Sequence, residues 1–493
     1  MEAPANTPNP DSSGLFSQVR NAVIWRSGSQ IVAQLVMWAS TFLVIRILQP
    51  EDYGLFAMTG VVLAFLNLMN GWGLASAIVQ KAEVSPRDIR QMFGMLIAVN
   101  LVLAGAQLLI APLAAAYFRE PRVETLLQVQ SLLYLTTPFI ALPYALLARR
   151  MDYRLQGFVN ITAALLAALT ALGGALAGWG VWTLVFAPMV LFATRAIGFT
   201  LGARSLVWPS FDFRGGRALA GFGGAMALTQ FFQFLLSQAD IFIAGRAFDA
   251  RTLGIYTTAL FLAQIFLNKI VPPLNEVSFS AFSRIQHDSA LASIAFVRAT
   301  RMVMLLALPF FLGLAATAEP LVHIILGPKW LETAPIVRLV ALAMPFMTLQ
   351  ALMAPATDAR GHPEIAARNA MIGALLLPIA YLAGVNWGIE GLAIAWIVAM
   401  PVYFLVSARR SLPVLEVRSL VFARALAPVA GASVLMALGV ALLDRLLPVM
   451  PDLPRLAALV LTGGALYLAL LLLMARASLA ELVAVVRNRA PTS

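Results

Sequence analysis

The sequence contains no cysteine, only three histidines and few charged residues, which make up 12% of its 493 positions. Without cysteine the chain cannot form a disulfide, a thiol nucleophile or a cysteine-ligated metal site. His287, His323 and His362 stand far apart, so they suggest no shared metal site. Signatures of catalysis, such as Gly-x-Ser-x-Gly, a Walker loop or Asp-x-Asp, are also missing. These absences argue against an enzyme and against a bound metal or organic cofactor.

The charge that is present is mainly positive, with a net value of +11. Nucleic-acid-binding domains share this property, but here 61% of the residues are hydrophobic and the mean hydropathy is +0.85. In membrane proteins an excess of lysine and arginine usually marks the loops that stay in the cytoplasm. The composition therefore predicts an integral membrane protein with no nucleic-acid partner.

Long apolar runs fill the chain. About fourteen of them have the eighteen or more residues that a transmembrane helix needs. They are too long, and alternate too little, for barrel strands, so the predicted fold class is an all-α polytopic membrane protein. The spans are predicted at 22–48, 54–79, 91–117, 124–147, 157–178, 180–203, 218–247, 253–282, 295–317, 335–357, 366–385, 389–408, 421–444 and 456–475.

Lysine and arginine gather in alternate loops when the N-terminus is placed in the cytoplasm. Arg149 with Arg150, and Arg409 with Arg410, are examples from two such loops. This repeated bias predicts an even number of spans with both termini cytoplasmic. Residues 1–20 are rich in proline, asparagine and serine and have no basic segment ahead of an apolar run. They are predicted to be a disordered tail and not a cleaved signal peptide.

Two halves of the chain share a pattern at an offset of 200 residues. Residues 43–58 match 243–258 without a gap, and Trp179-Gly180 later matches Trp387-Gly388 at an offset of 208. Each half holds an even number of spans, so the two repeats are expected to be parallel. The predicted units are a tail at 1–20, an N-lobe with spans 1–6 at 21–206, a C-lobe with spans 7–12 at 207–410, and two extra spans with a cytoplasmic tail at 411–493.

The duplication helps to identify functional charges inside spans, where a charge costs about 2.5–3.5 kcal/mol on insertion scales. A charge found in one lobe alone is expected to serve an asymmetric ligand. Lys269, near the middle of span 8, aligns with Met69 and is predicted to bind a pyrophosphate; neutralisation by an internal carboxylate is the alternative. Glu276, two turns further on, is a candidate charge partner or coupling group. Pro272 and Pro273 are predicted to break the helix between them, with plain packing as the alternative.

Three more charges lie inside predicted spans, two of them in the N-lobe and one in the C-lobe. Arg26 aligns with a methionine and stands in a polar cluster of span 1, where it is predicted to capture an anionic head group; a side chain that reaches the cytoplasmic surface is the alternative. Arg195 in span 6 presents the same choice and is kept as a third substrate-binding candidate. Asp240 in span 7 has two candidate roles: a salt bridge with Lys269 or Arg246, which is favoured, or binding of a coupling cation.

Five segments carry a resemblance to a known family. They are LQPEDYGLFAM (48–58), GLASAIVQK (73–81), QADIFIAGRAFDARTLGIY (238–256), FSRIQHD (282–288) and EPLVHIILGPKWLETAPIVRLVAL (319–342). They resemble Wzx-like polysaccharide flippases of the multidrug/oligosaccharidyl-lipid/polysaccharide exporter superfamily, over roughly residues 20–410. The chain departs from the family where an acidic residue often precedes Gly-Leu in the second span, because it reads Asn70-Gly71-Trp72 before Gly73.

The resemblance implies a flippase that moves undecaprenyl-pyrophosphate-linked oligosaccharide from the cytoplasmic to the periplasmic leaflet by alternating access. Some members couple this step to an ion, so H+ or Na+ is a candidate. The expected setting is the bacterial inner membrane, in the synthesis of O-antigen, capsule or exopolysaccharide. The expected partners are the lipid-linked oligosaccharide, membrane lipids, and polymerase and chain-length enzymes, with the chain itself a monomer.

Two alternatives to the flippase remain open from the sequence. A multidrug exporter of the same superfamily should prefer acidic and aromatic cavity residues, because its substrates are cations. A membrane polysaccharide polymerase or ligase usually needs an extended outer loop with catalytic side chains. The loops of this chain are short, which disfavours the enzyme.

Overall fold

The computed structural model describes residues 10–68, 84–150, 152–211, 217–285, 288–476, 479 and 481. Within these residues the regular structure is helical, with two short 3-10 turns at Pro328–Trp330 and Val385–Trp387. The α-helices are α1 Pro10–Ile47, α2 Pro50–Asn67, α3 Pro86–Phe118, α4 Arg122–Gln130, α5 Leu133–Thr136, α6 Pro138–Arg149, α7 Tyr153–Leu176, α8 Val181–Ala203, α9 Arg217–Ala247, α10 Ala250–Arg284, α11 Ser289–Ala316, α12 Ala318–Ile325, α13 Thr333–Ala359, α14 Pro363–Gly384, α15 Gly388–Val414, α16 Ser419–Leu446 and α17 Asp452–Met474.

Eleven helical segments of the described chain are long and apolar enough to cross a membrane. One of them, 363–414, contains two helices, α14 and α15, that meet at a 3-10 turn. The all-α, multi-pass membrane fold predicted from the sequence is therefore confirmed, and helical residues lie in each of the predicted spans. The count of fourteen spans stays a prediction.

The fourth predicted span, 124–147, differs from the expectation of one continuous helix. It consists of α4, α5 and α6 in succession, with turns at Ser131 and Thr137. Pro138 begins α6, and its ring lacks the backbone donor that would continue the preceding helical hydrogen bonds. The hydropathy of this stretch marks it as apolar, but hydropathy does not register a proline-induced turn.

The duplication is visible in local geometry at the start of the second helix of each half. In α2 the backbone amide of Gln49 donates to Asp52 Oδ2 at 2.9 Å. In α10 the amide of Thr252 donates to Asp249 Oδ1 at 2.8 Å. Gln49 and Asp249 are related by the offset of 200, so both halves begin this helix with a capping interaction that satisfies an otherwise unpaired amide.

A second pair of related positions requires glycine. Gly180 precedes α8 with φ 55°, and Gly388 begins α15 with φ 77°. Side chains with a Cβ rarely adopt such positive φ values, so glycine is the residue that fits these turns. The two positions are related by the offset of 208 that the sequence shows, and each follows a tryptophan.

In each half an exposed ion pair joins the second helix, α2 or α10, to the start of the fourth predicted span. The acidic and basic partners are exchanged between the two halves. In the first half Glu51 of α2 accepts from Arg122 of α4 at 2.6 Å. In the second half Arg251 of α10 donates to Glu332, just before α13, at 2.7 Å. The polarity reverses because the offset relates an acidic residue, Glu51, to a basic one, Arg251. Exposed pairs of this kind contribute at most about 1 kcal/mol each.

The described residues form two compact units that divide between Ala227 and Leu228, inside α9. This division lies further along the chain than the boundary predicted at 206/207. In the first unit α7 packs against both α1 and α8, and α8 also packs against α6. In the second unit α10, α13 and α15 pack in series, and α16 and α17 pack on α11 and α12.

The last two helices are held to the second unit by polar contacts as well as by packing. His323 of α12 contacts the carboxylate of Asp452 at the start of α17. Arg455 lies 2.7 Å from Asp444 of α16 and 3.9 Å from Glu319 of α12. These contacts join α12, α16 and α17 at one end of the bundle.

Replacing Asp249 by alanine is expected to lower the free energy of unfolding by about 1 kcal/mol, the usual value of a lost helix cap. Hydrogen bonds from the Thr252 side chain and amide hold the pKa of Asp249 below its ordinary value. A depressed pKa means that this stabilisation is present above the unfolded pKa of about 3.9 and is lost as the pH falls through the folded pKa. Asp249→Asn should keep the cap and lose the pH dependence. Thermal unfolding of both variants in detergent checks this, and an Asn variant as unstable as the Ala variant contradicts it.

Candidate functional site

Four helices of the first unit surround a polar cleft within the membrane-spanning part of the chain. We call it the N-cleft; it is formed by α1, α6, α7 and α8 and has a volume of about 420 Å³. Its polar lining consists of hydroxyl, amide and guanidinium groups, from Ser29, Gln30, Gln34, Tyr144, Tyr153, Gln156, Asn160 and Arg195. Such a concentration of hydrogen-bonding groups at membrane depth is expected where a protein lines a polar pathway.

Arg195 is the one charged side chain among the described residues of the N-cleft lining. It is half-buried on α8, and within the described chain its Nε has no hydrogen-bond partner. One turn further along α8, Phe199 packs edge-on against Tyr144 of α6, with ring centroids 5.7 Å apart. The helix therefore presents a cation to a cleft whose other polar groups are neutral.

The chemistry of the N-cleft suits a polyhydroxylated or anionic ligand. Amide side chains both donate and accept hydrogen bonds, as sugar hydroxyls do. A guanidinium offers five donors in a planar fork that matches phosphate or carboxylate oxygens. A cationic ligand is disfavoured here, since the single charge of the described lining, Arg195, has the same sign.

Asp240 lies in a different surrounding, buried in the second unit with 3% of its surface exposed. The hydroxyl of Tyr256 donates to its Oδ2 at 2.9 Å, and the indole Nε1 of Trp396 donates to the Tyr256 hydroxyl at 2.8 Å. The ring of Tyr381 packs against Trp396 with centroids 5.5 Å apart. The structure thus gives the carboxylate a neutral phenol as its hydrogen-bond partner. A salt bridge with Lys269 or Arg246, or a bound cation, stays a prediction.

Sequence reasoning missed the partners of Asp240, although a signal was present. At the repeat offsets Asp240, Tyr256 and Trp396 align with Ser40, Phe56 and Pro188. Each member of the chain of hydrogen bonds is therefore absent from the first half. Comparing the two halves for neutral polar residues, and not for charges alone, identifies the group.

The second unit has a larger cleft of its own, which we call the C-cleft. Residues of α9, α10, α13, α14 and α15 line it, and its volume is about 770 Å³. The charged residues among its described lining are both acidic, Asp358 and Glu364. Tyr403 also lines it, and Tyr403 is the counterpart of Arg195 at the offset of 208. The two clefts therefore differ in the sign of their charge.

Lys269 is exposed on α10, beside Asn268 and Ile270, which are also exposed. The prediction that Pro272 and Pro273 break this helix is wrong, because α10 continues through both prolines to Arg284. Each proline still lacks an amide hydrogen, so the carbonyls of residues 268 and 269 lose the donors they have in a regular helix. Membrane helices commonly tolerate proline because neighbouring groups and local adjustments satisfy the freed backbone groups.

Three sequence predictions concern residues or side chains that the structure does not describe. The backbone of Arg26 lies in α1 and that of Glu276 in α10, but their side chains are outside the described set. The Asn70-Gly71-Trp72 departure from the family pattern lies in 69–83, also outside the described residues. The roles assigned to Arg26, Glu276 and this segment stay predictions.

Comparison with known sequences gives a family match. The profile of a family described as polysaccharide biosynthesis protein matches residues 43–335, more than half of the chain. The succinoglycan biosynthesis transport protein ExoT of Rhizobium meliloti (strain 1021) is 29% identical over 305 residues, which are 62% of this chain and 61% of that protein. The lipopolysaccharide biosynthesis protein WzxC of Escherichia coli (strain K12) is 23% identical over 297 residues, 60% of each. The chain thus matches less than two thirds of the length of either relative.

Comparison with solved structures gives the fold. The lipid II flippase MurJ in an inward closed conformation aligns with a TM-score of 0.73 at 13% identity, over 91% of this chain and 98% of that chain. At this identity the likeness shows a shared arrangement of helices. The chemistry of the two clefts follows from their own residues and not from this likeness.

Proposed function

Because the chain belongs to the polysaccharide biosynthesis protein family, we propose that it is a flippase for an undecaprenyl-pyrophosphate-linked oligosaccharide. It moves this lipid from the cytoplasmic to the periplasmic leaflet of a bacterial inner membrane. The observation that carries the proposal is the N-cleft, in which Arg195 stands among neutral amides and phenols inside an apolar bundle. A polar cleft of this kind replaces the water that a sugar or phosphate gives up on entering the membrane.

The head group of such a lipid has two parts that need different partners. Its sugars carry hydroxyls, which fit the amide groups of Gln30, Gln34, Gln156 and Asn160 in the N-cleft. Its pyrophosphate carries about two negative charges, which need cations because an unpaired charge in hydrocarbon is costly. Arg195 supplies such a cation in the N-cleft, and Lys269 and Arg26 keep their predicted role as further cations of the pathway.

The transport cycle in this proposal is alternating access, with the lipid tail remaining in the bilayer. Both termini lie in the cytoplasm, in keeping with the lysine and arginine bias of the loops. The chain acts as a monomeric transporter and catalyses no covalent step. Polymerase and chain-length enzymes then act on the lipid-linked product, in an O-antigen, capsule or exopolysaccharide pathway.

A proton is the coupling ion that the surroundings of Asp240 favour over sodium. The groups that reach the carboxylate and its partner, the Tyr256 hydroxyl and the Trp396 indole, are hydrogen-bond donors. A sodium ion instead needs several oxygen acceptors around it. Protonation neutralises the buried carboxylate without any further ligand, so Asp240 suits proton uptake and release.

The multidrug exporter remains a second candidate because of the C-cleft. Its described charged lining, Asp358 and Glu364, is acidic, as expected for a cleft that receives organic cations. Expression in a strain that lacks its own polysaccharide flippase separates the candidates. A flippase restores surface polysaccharide and removes the accumulated lipid-linked intermediate, whereas a multidrug exporter restores neither and raises resistance to cationic dyes. An enzyme would instead change the chain length of the intermediate.

Replacing Arg195 by glutamine is expected to lower transport about tenfold or more, since a hydrogen bond to a charged group contributes roughly 1.5–3 kcal/mol. Arg195→Lys should keep part of the activity because it keeps the charge. Arg154→Gln is the matched control: Arg154 is exposed on α7 and stacks over the Trp25 ring at 5.7 Å, outside the N-cleft lining. The measurement is the rate of head-group translocation in vesicles. Equal rates for the Gln variants of Arg195 and Arg154 contradict a substrate role for Arg195.

A further inference from the structure

A second cluster of cations lies away from both clefts, at the ends of α11 and α16 that the sequence assigns to the cytoplasmic face. It lines a groove of about 540 Å³ that we call the arginine groove. Its basic residues are Arg298 and Arg301 on α11 and Arg418 at the start of α16. The groove belongs to the second unit alone, and the transport proposal does not use it.

An acidic group of the chain itself already occupies the arginine groove. Glu481, beyond the end of the last helix, contacts Arg301 and lies 3.9 Å from Arg298. The side chains of Arg301 and Glu481 are 20% and 26% exposed, so the pair is largely withdrawn from solvent. The arginine groove therefore binds an anionic oxygen in this structure, that of the Glu481 carboxylate.

The cations of the groove exceed the negative charge that faces them. The other carboxylate in the lining, Glu416, is engaged outside it by Arg360 at 3.1 Å. Hydrogen bonds from Ser289 and Arg360 hold the pKa of Glu416 below its ordinary value, so it stays ionised and paired there. Three arginines therefore line the groove, while the carboxylate of Glu481 lies near two of them, Arg298 and Arg301. Within the described chain the Nε of Arg301 has no hydrogen-bond partner. A phosphate offers more acceptor oxygens than a carboxylate, and arginine guanidinium groups match their geometry.

Most of the remaining lining of the groove is apolar, which narrows the class of ligand. Ile294 and Val421 line it beside the arginines and are 65% and 52% exposed. They stand on helices that are long and apolar enough to span the membrane, so we expect these side chains to face acyl chains. A ligand that satisfies both parts has a phosphate at one end and a hydrocarbon chain at the other.

We propose that the arginine groove binds the phosphate of an inner-leaflet phospholipid, and that Glu481 is an internal competitor for the same arginines. Lipid binding then releases Glu481 from the arginines of α11, and the return of Glu481 expels the lipid headgroup. The charges of the groove determine whether a substitution strengthens or weakens lipid binding. Removing the carboxylate of Glu481 frees the groove, whereas removing an arginine weakens both occupants.

The test measures how much phosphatidylglycerol stays bound to the purified full-length chain during native mass spectrometry. Glu481→Gln is expected to raise the apparent affinity about tenfold, because it removes a competing charge-assisted contact. Arg301→Gln should lower it by about tenfold for the same reason. Arg409→Gln, which removes an exposed arginine at the same predicted face outside the groove, should leave the affinity unchanged.

Two further arms identify the ligand. Diacylglycerol, which has the same acyl chains and no phosphate, should not be retained above background. Inorganic phosphate at millimolar concentration should not displace phosphatidylglycerol, since it lacks the apolar part; displacement overturns the lipid assignment. Equal lipid retention by the wild type and Glu481→Gln overturns the competition, and an unchanged melting temperature shows that this variant is folded. If Arg409→Gln also loses phosphatidylglycerol, the lipid responds to general surface charge, and the proposal of a specific site in the arginine groove is overturned.

Discussion

Replacement of Lys269 by alanine is expected to abolish polysaccharide export while the protein still accumulates in the membrane. The side chain is exposed on α10, so little packing is lost when it is truncated. Its charge is the property that the proposed pyrophosphate contact requires. A pyrophosphate charge that crosses the membrane without its cation costs about 2.5–3.5 kcal/mol on insertion scales, which corresponds to a fall of about 60-fold or more in transport rate.

The Lys269 experiment has two useful comparisons. Lys269→Arg keeps the charge and should retain most of the export. Asn268→Ala truncates the adjacent exposed side chain of the same helix and should leave export unchanged. The measurement is surface polysaccharide in a strain whose own flippase is deleted, with protein level and melting temperature determined for each variant. Normal export by the alanine variant removes Lys269 from the proposed site.

Replacement of Asp240 by asparagine is expected to uncouple transport from the proton gradient. The amide oxygen of asparagine can still accept from the Tyr256 hydroxyl, so the hydrogen bonds that reach Trp396 are preserved. The variant cannot take up and release a proton, however. In vesicles with an imposed pH gradient, the acceleration seen for the wild type should disappear, and slow exchange without a gradient should remain.

The Asp240→Asn variant also distinguishes proton coupling from a purely structural role of the carboxylate. If the carboxylate only forms a salt bridge, Asp240→Asn lowers the melting temperature and leaves the response to the gradient intact. Asp249→Asn is the matched control, because it neutralises an exposed carboxylate of the same unit and should retain coupling. Activation of wild-type transport by a sodium gradient at constant pH contradicts the choice of a proton.

The fold could be predicted well because hydrocarbon solvent imposes a strong pattern on sequence. An unbroken apolar run has few structural solutions in a membrane, so span positions follow from hydropathy. The family resemblance drawn from five segments is confirmed by the family profile. The breaks around Pro138 and the continuity through Pro272 show what the pattern omits. Both are prolines in apolar runs, and whether the helix persists depends on neighbouring packing that sequence alone does not display.

The candidate site could be predicted only in part. Arg195 was recognised because a charge inside a span is rare, and it lies in the N-cleft lining. The amide groups around it were missed, since neutral polar side chains are common enough in membrane helices to pass unnoticed. Tyr256 and Trp396 were missed for a related reason. Their link to Asp240 depends on three helices, α9, α10 and α15, whose side chains meet only after folding.

The reversed polarity of the two exposed ion pairs has a consequence for biogenesis. A duplicated chain offers each newly inserted helix two similar docking partners, one in its own half and one in the other. If α2 docked on the segment that belongs with α10, Glu51 would meet Glu332; in the opposite exchange Arg251 would meet Arg122. Each wrong pairing sets like charges together, and each correct pairing joins opposite ones. Although each pair stabilises the finished protein little, we expect the two pairs together to disfavour an exchange of helices between the two halves during insertion.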